Sequence, residues 1–221
     1  MGRTQTGGYM MRYRIWLTVI LCMILLAGCT GKNVDLSKAT ESTIGINRDG
    51  SVEEVVIEPF DRNYYSLTEL TDYVNQQVDA FNQANPQEQP ENQKANEAPA
   101  TAVTVRYVET DSDAKTATMA LSYQTIAIYN AFNETDFKFL SMEEATQDQS
   151  VLDIKDLIQR KTGEETAFSD ITEEKQLHLI YTDRSVRIQT SGKIMYYSKD
   201  ASLVDDQTIQ TADGPSVILF K

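Results

Sequence analysis

Residues 43–60 read TIGINRDGSVEEVVIEPF, and residues 66–84 read SLTELTDYVNQQVDAFNQA. In the first stretch Ile44 and Ile46 alternate with small or polar neighbours. Asn47-Arg48-Asp49-Gly50 then supplies turn chemistry, and the run from Val52 to Phe60 is rich in β-branched residues. Gly50 tolerates the positive φ of a primed turn, so the stretch is expected to form a β-hairpin. In the second stretch Leu67, Leu70, Val74, Val78 and Phe81 recur at spacings of three and four, which places them on one helical face. Ser66 with Glu69 three residues on reads as a capping box, and Tyr65 is placed to staple onto Leu70. Burying each apolar residue of that face contributes about 1.5–3 kcal/mol, against about 1 kcal/mol for the cap. The helix is therefore built to lie on a sheet, and the fold class is α+β.

The same pattern extends along the chain. Asn85 to Ala100 carries three prolines and no large apolar residue, and is expected to be a disordered loop at about 85–100. Val103, Val105 and Tyr107, a turn at Asp111-Ser112-Asp113-Ala114, and Met119, Leu121 and Tyr123 give a second hairpin. A short helical turn is expected at 126–132 and an extended piece at 137–140. Val151 to Lys161 reads as a second amphipathic helix, with Val151, Ile154 and Ile158 on one side. Lys155, Arg160 and Lys161 suit its C-terminal dipole, and Gly163 suits its stop. From Leu177 onward QLHLIYT, SVRIQ, KIMYYS and SVILF read as strands. The expectation is a single α+β domain over 43–221: a mainly antiparallel sheet built from hairpins, with two principal amphipathic helices packed on it.

The N-terminus has a different logic. Arg3, Arg12 and Arg14 precede an apolar run from Ile15 to Ala27, and no acid occurs before Cys29. The run is shorter than the roughly 20 residues of a spanning helix and has the layout of a secretory signal. Leu26-Ala27-Gly28-Cys29 resembles the lipobox of bacterial lipoproteins. That resemblance implies cleavage between Gly28 and Cys29, so that residues 1–28 are a signal peptide. It also implies a lipidated Cys29, with acyl chains such as palmitate, at the outer face of the bacterial cytoplasmic membrane. Two acyl chains anchor stably where one binds only reversibly. Residues 29–42, polar and with little to bury, would form a flexible tether reaching about 20 Å. The stretch IGINRDGSVEEVVIEPFDRNYYSLTELTDYV, with KIMYYS and a terminal SVILFK, also resembles small lipoproteins of clostridial-type Gram-positive bacteria. That resemblance implies an address and a fold, and no catalytic residue.

Composition narrows the function. The chain carries a net charge of −13. Loss of residues 1–28 takes three arginines and no acid, which moves the charge to −16. No basic patch is present to bind phosphates, so nucleic acid is not an expected partner. With Cys29 acylated and Cys22 removed, no thiol remains for a disulfide, a nucleophile or a thiolate metal site. His178 is the only histidine. It lies between Leu177 and Leu179 and reads as a strand histidine sharing a face with Ile180. Ser191-Gly192-Lys193 lacks the rest of a phosphate loop and reads as a turn. Asn47 with Asp49, and Glu109 with Asp111 and Asp113, are acidic turns without the ligand spacing of a calcium loop. No catalytic residue, metal or cofactor is expected.

Tyr64-Tyr65 and Tyr196-Tyr197 are the candidate contact surface, because exposed tyrosines offer flat, amphipathic area. The leading expectation is a lipid-anchored, non-catalytic binding or interaction module of the cell envelope, attached to the membrane through its lipid alone. Two alternatives stand beside it. One is a carboxylate-based hydrolase of envelope glycans, which needs two facing acids. The other is a structural accessory subunit of a membrane complex, which needs an exposed apolar patch.

Overall fold

The computed structural model describes residues 33–87, 100–154 and 156–221. The expected signal peptide, Gly28, Cys29 and the body of the 85–100 loop lie outside the described residues. Among the described residues no helix is long and apolar enough to cross a membrane.

The first hairpin pairs β1 (Thr43–Ile46) with β2 (Val52–Pro59), Ile46 lying opposite Val52. Five residues separate the strands, so this is a longer loop than a two-residue primed turn. Gly50 still takes φ +80°, and Asp49 Oδ1 accepts from Ser51 N at 3.0 Å. The helix follows as α1 (Leu67–Ala84), with Ser66 Oγ accepting from Glu69 N at 3.3 Å. β3 (Val103–Asp111) and β4 (Thr116–Tyr123) form the second hairpin, with a bulge between Val105 and Tyr107. α2 (Ile126–Asn133) comes next, capped by Thr125 and ended by Glu134 at φ 52°.

The remainder begins with β5 (Lys138–Ser141), α3 (Met142–Ala145) and α4 (Gln149–Leu152). β6 (Leu157–Gln159), β7 (Glu165–Thr166) and a 3-10 turn at Phe168–Ile171 follow. β8 (His178–Thr182), β9 (Arg187–Thr190) and β10 (Ile194–Ser198) lead to β11 (Ser202–Leu203), β12 (Thr208–Gln210) and β13 (Ser216–Phe220). Two sheets result. The first has the order β11-β12-β9-β1-β2-β4-β3, and the second β5-β8-β13-β10-β6-β7. The pairing of β1 with β9 is parallel, and the other pairings are antiparallel. The class is α+β, as the hairpin and helix patterns imply.

Three apolar clusters hold these layers. Ile44, Ile46, Leu121 and Ile188 from the first sheet meet Ile180, Ile194, Ile218 and Phe220 from the second, with Val74 and Val78 of α1 and Tyr129 of α2. The opposite face of the second sheet presents Leu157, Leu179, Tyr196, Val217 and Leu219 to Met142, Val151, Phe168 and Ile171. The outer face of the first sheet presents Val55 and Ala120 to Leu36.

That last contact corrects the expected tether. Leu36 is only 7% exposed, Val34 N donates to the buried Asn47 Oδ1 at 2.9 Å, and Arg187 pairs with Glu41 at 2.6 Å. Residues 34–41 form a strap across the sheet. Gly45 makes room for it, since a Cβ there would sit 2.5 Å from Val34 Cγ1.

The second principal helix is also corrected. Residues 149–152 make a single helical turn and residues 157–159 a strand, whose Leu157 is fully buried opposite Ser198. The three-and-four spacing of Val151, Ile154 and Ile158 fits a helix, but pairing with β10 satisfies the backbone and buries Leu157, and tertiary context prevails.

Candidate functional site

The site arises from how α1 sits on its sheet. From Val74 onward it is fastened: Val74 and Val78 are buried, and Phe81 meets Phe132 edge-on at 5.2 Å. Asn82 accepts from Val103 N at 2.9 Å and donates to Val103 O at 2.8 Å. The turns before Val74 are not covered. Leu67 and Tyr73 are exposed, Leu70 is half-buried, and the expected five-residue buried face reduces to Val74 and Val78. A groove therefore runs between α1 and strands β2 and β4. Its outer part, about 520 Å³, is lined by Pro59, Phe60, Tyr64, Tyr65 and Ala117 among others. Its inner part, also about 520 Å³, reaches Phe81, Leu121, Phe132, Asn133 and Glu54. Val56, Leu70, Tyr73 and Met119 line both, so the two parts adjoin.

Glu54 closes the inner end. It lies opposite Ile44 on β1 and Leu121 on β4, so it points to the core face of its strand. Its Oε2 accepts from the Tyr123 hydroxyl at 2.5 Å, and its Oε1 from the Tyr129 hydroxyl at 3.2 Å. Asn133 Nδ2 donates to the Tyr123 hydroxyl at 3.2 Å, which orients it. The two rings meet edge-to-face at 5.0 Å. Burial pushes the Glu54 carboxyl above its ordinary range, and the two hydroxyl donors only partly oppose this. Burial and then the Glu54 charge push both phenols up, so they stay protonated as donors.

Glu58 and Glu69 line the outer part. Glu58 is four residues beyond Glu54 on the same strand face, a separation of about 13 Å along the backbone. Among the described residues no group of three or more His, Cys, Asp or Glu is arranged to hold a metal. The acidic turns spend their oxygens locally: Asp111 Oδ1 accepts from Asp113 N and Ala114 N at 2.8 and 2.9 Å.

The sequence candidates separate. Tyr64 and Tyr65 are 72% and 43% exposed, pack edge-to-face at 5.0 Å and line the groove. Tyr196 is 5% exposed inside the second cluster, with its hydroxyl donating to Glu174 at 2.6 Å. Tyr197 points to the opposite face of β10 and packs against the first cluster. Sheet alternation thus puts the two rings on opposite faces of β10, so Tyr196 and Tyr197 form no joint contact surface. His178 stacks on Phe139 at 5.3 Å on the face it shares with Ile180. Burial and then the Arg48 charge hold its pKa below the ordinary histidine value.

Glu54, Tyr123, Tyr129 and Asn133 were not singled out from sequence. The available signal was the alternation Val52, Glu54, Val56, Glu58, which sets a glutamate on the same face as a core valine. Comparison with protein-family models, with curated proteins and with solved structures finds no match.

Proposed function

We propose that the protein is a lipid-anchored, extracytoplasmic binding module whose ligand site is the groove between α1 and strands β2 and β4. The lipobox Leu26-Ala27-Gly28-Cys29 supports the anchor, and the groove supports binding. The observation that carries the reading is a groove of two adjoining parts, about 520 Å³ each, the size of small-molecule sites, with apolar and aromatic walls and a few convergent polar groups. The aromatic rim at Tyr64, Tyr65 and Tyr73 provides an entrance, and Glu54 with Asn133 provides the polar end.

Met119 lines both parts of the groove, whereas Met142 is buried in the second cluster. In full-length protein carrying ¹³C-methyl methionine, a soluble neutral probe such as 3-phenylpropanol is expected to move the Met119 methyl resonance and leave Met142 in place. An unmoved Met119 at saturating probe refutes the groove as a binding site.

A further inference from the structure

Glu54 has two hydroxyl partners and, among the described residues, no cationic one. The groove is lined by Glu54, Glu58 and Glu69, and no lysine or arginine contributes to either part. A carboxylate withdrawn from water costs free energy unless a charge of opposite sign joins it. The walls approaching it are apolar or aromatic: Val56, Leu70, Tyr73, Met119 and Leu121. Such walls suit a hydrocarbon stem, and aromatic faces favour a nearby ammonium. The net charge of −13 draws cations toward the surface.

We propose that the groove binds an organic amine, with its ammonium head paired to Glu54 and its alkyl or arylalkyl stem along Val56, Leu70, Tyr73 and Met119. This rests on the reading of the groove as a ligand site and names the ligand class. The three carboxylates repel an anionic head. A neutral head leaves Glu54 without a counter-ion, so charge sets the selectivity and the stem sets the fit. A metal ion is a poor alternative, since no cluster of three ligands exists among the described residues and the walls are apolar.

Affinity for the amine also depends on pH, because the head pairs with the ionised form of Glu54. The groups that face this carboxyl are Tyr123 from β4, and Tyr129 and Asn133 from α2. Tyr73 and Gln77 of α1 line the same space, and Arg184 acts electrostatically on Tyr129. Glu58 and Glu69 of the outer groove are carboxylates as well, so the part of the profile that belongs to Glu54 is the part that Glu54→Gln removes.

The test is a titration of full-length protein, in a non-ionic detergent, with three probes that share one stem: 3-phenylpropylamine, 3-phenylpropanol and 3-phenylpropionate, read at the Met119 methyl. The amine is expected to bind roughly tenfold or more tightly than the alcohol, as a charge-assisted pair does relative to a neutral contact, and the propionate more weakly than either. Glu54→Gln should bring amine and alcohol together, while Glu58→Gln and Glu69→Gln preserve the difference. In the unsubstituted protein, amine affinity should fall as acid protonates Glu54 while alcohol affinity holds, a readout that does not depend on the variant folding. Equal binding of amine and alcohol overturns the amine assignment and leaves the groove standing. Selectivity that survives Glu54→Gln, or an amine affinity that ignores pH, overturns the role of Glu54. Binding of none of the three overturns both the groove and the inference.

Discussion

Replacing Tyr123 by phenylalanine isolates the polar end of the groove. The substitution keeps the ring, and with it the edge contacts to Tyr129 at 5.0 Å and Phe132 at 5.7 Å. It removes the 2.5 Å bond to Glu54 and the acceptor used by Asn133. A hydrogen bond to a charged acceptor contributes about 1.5–3 kcal/mol, so Tyr123→Phe should cost about 2–3 kcal/mol at neutral pH. For a domain of this size that is a fall in Tm of roughly 5–10 °C. Tyr129→Phe breaks a longer bond, 3.2 Å, and should cost about 1 kcal/mol. The loss should also depend on pH. Because burial raises the Glu54 pKa, the folded state holds its proton longer than the unfolded chain. Stability contributed at this site therefore falls as pH rises from the ordinary carboxylate range through the raised value, then levels. Tyr123 favours the ionised form, so the gap between wild type and variant should be small near about pH 4 and full-sized near about pH 8. Urea unfolding at both pH values measures it. A gap equal at the two, or a larger cost from Tyr129→Phe, refutes the account of this network.

Three other outcomes are expected. Cys29→Ser should abolish lipid labelling and shift the protein out of the membrane fraction; retained labelling removes the lipobox assignment. Leu36→Ala empties the contact between the strap and Val55 and Ala120, and should cost about 2–3 kcal/mol by chemical denaturation. A truly free tether would give no change. His178 takes up its proton less readily in the folded state, so stability should drop as pH falls below the ordinary histidine range. His178→Phe should flatten that slope, and an unaltered slope would place the titration elsewhere.

The hairpins and α1 were legible because their signals are local: alternation, turn residues and a three-and-four period. SVILF matches β13 residue for residue. The misread elements depend on partners far along the chain. Leu157 becomes a strand residue because β10, some forty residues later, pairs with it. Val34 and Leu36 look solitary among polar neighbours, and only the space beside Gly45 and the apolar Val55 make them a strap. The groove was illegible for a related reason. Apolar and acidic residues fall on both faces of β2, and both faces are covered, one by α1 and the other by the strap. No pattern within eight residues says which glutamate meets the tyrosines. Tyr64 and Tyr65 were legible as exposed aromatics, because they stand side by side in the polar chain leading into α1.

The placement of β13 governs the order in which the molecule is assembled. This strand, Ser216–Phe220, lies between β8 and β10 in the second sheet, and all five of its residues are buried. The two early hairpins can close as soon as they are synthesised, with little loop entropy to overcome. β8 and β10 cannot join until residue 220 has been made, and until then each offers an unpaired edge. A chain in transit thus keeps half of its architecture open, and sheet closure by β13 is a late, non-local and slow step. Shortening the chain within 216–220 would leave two adhesive edges in place of one finished sheet, with aggregation or proteolysis as the outcome.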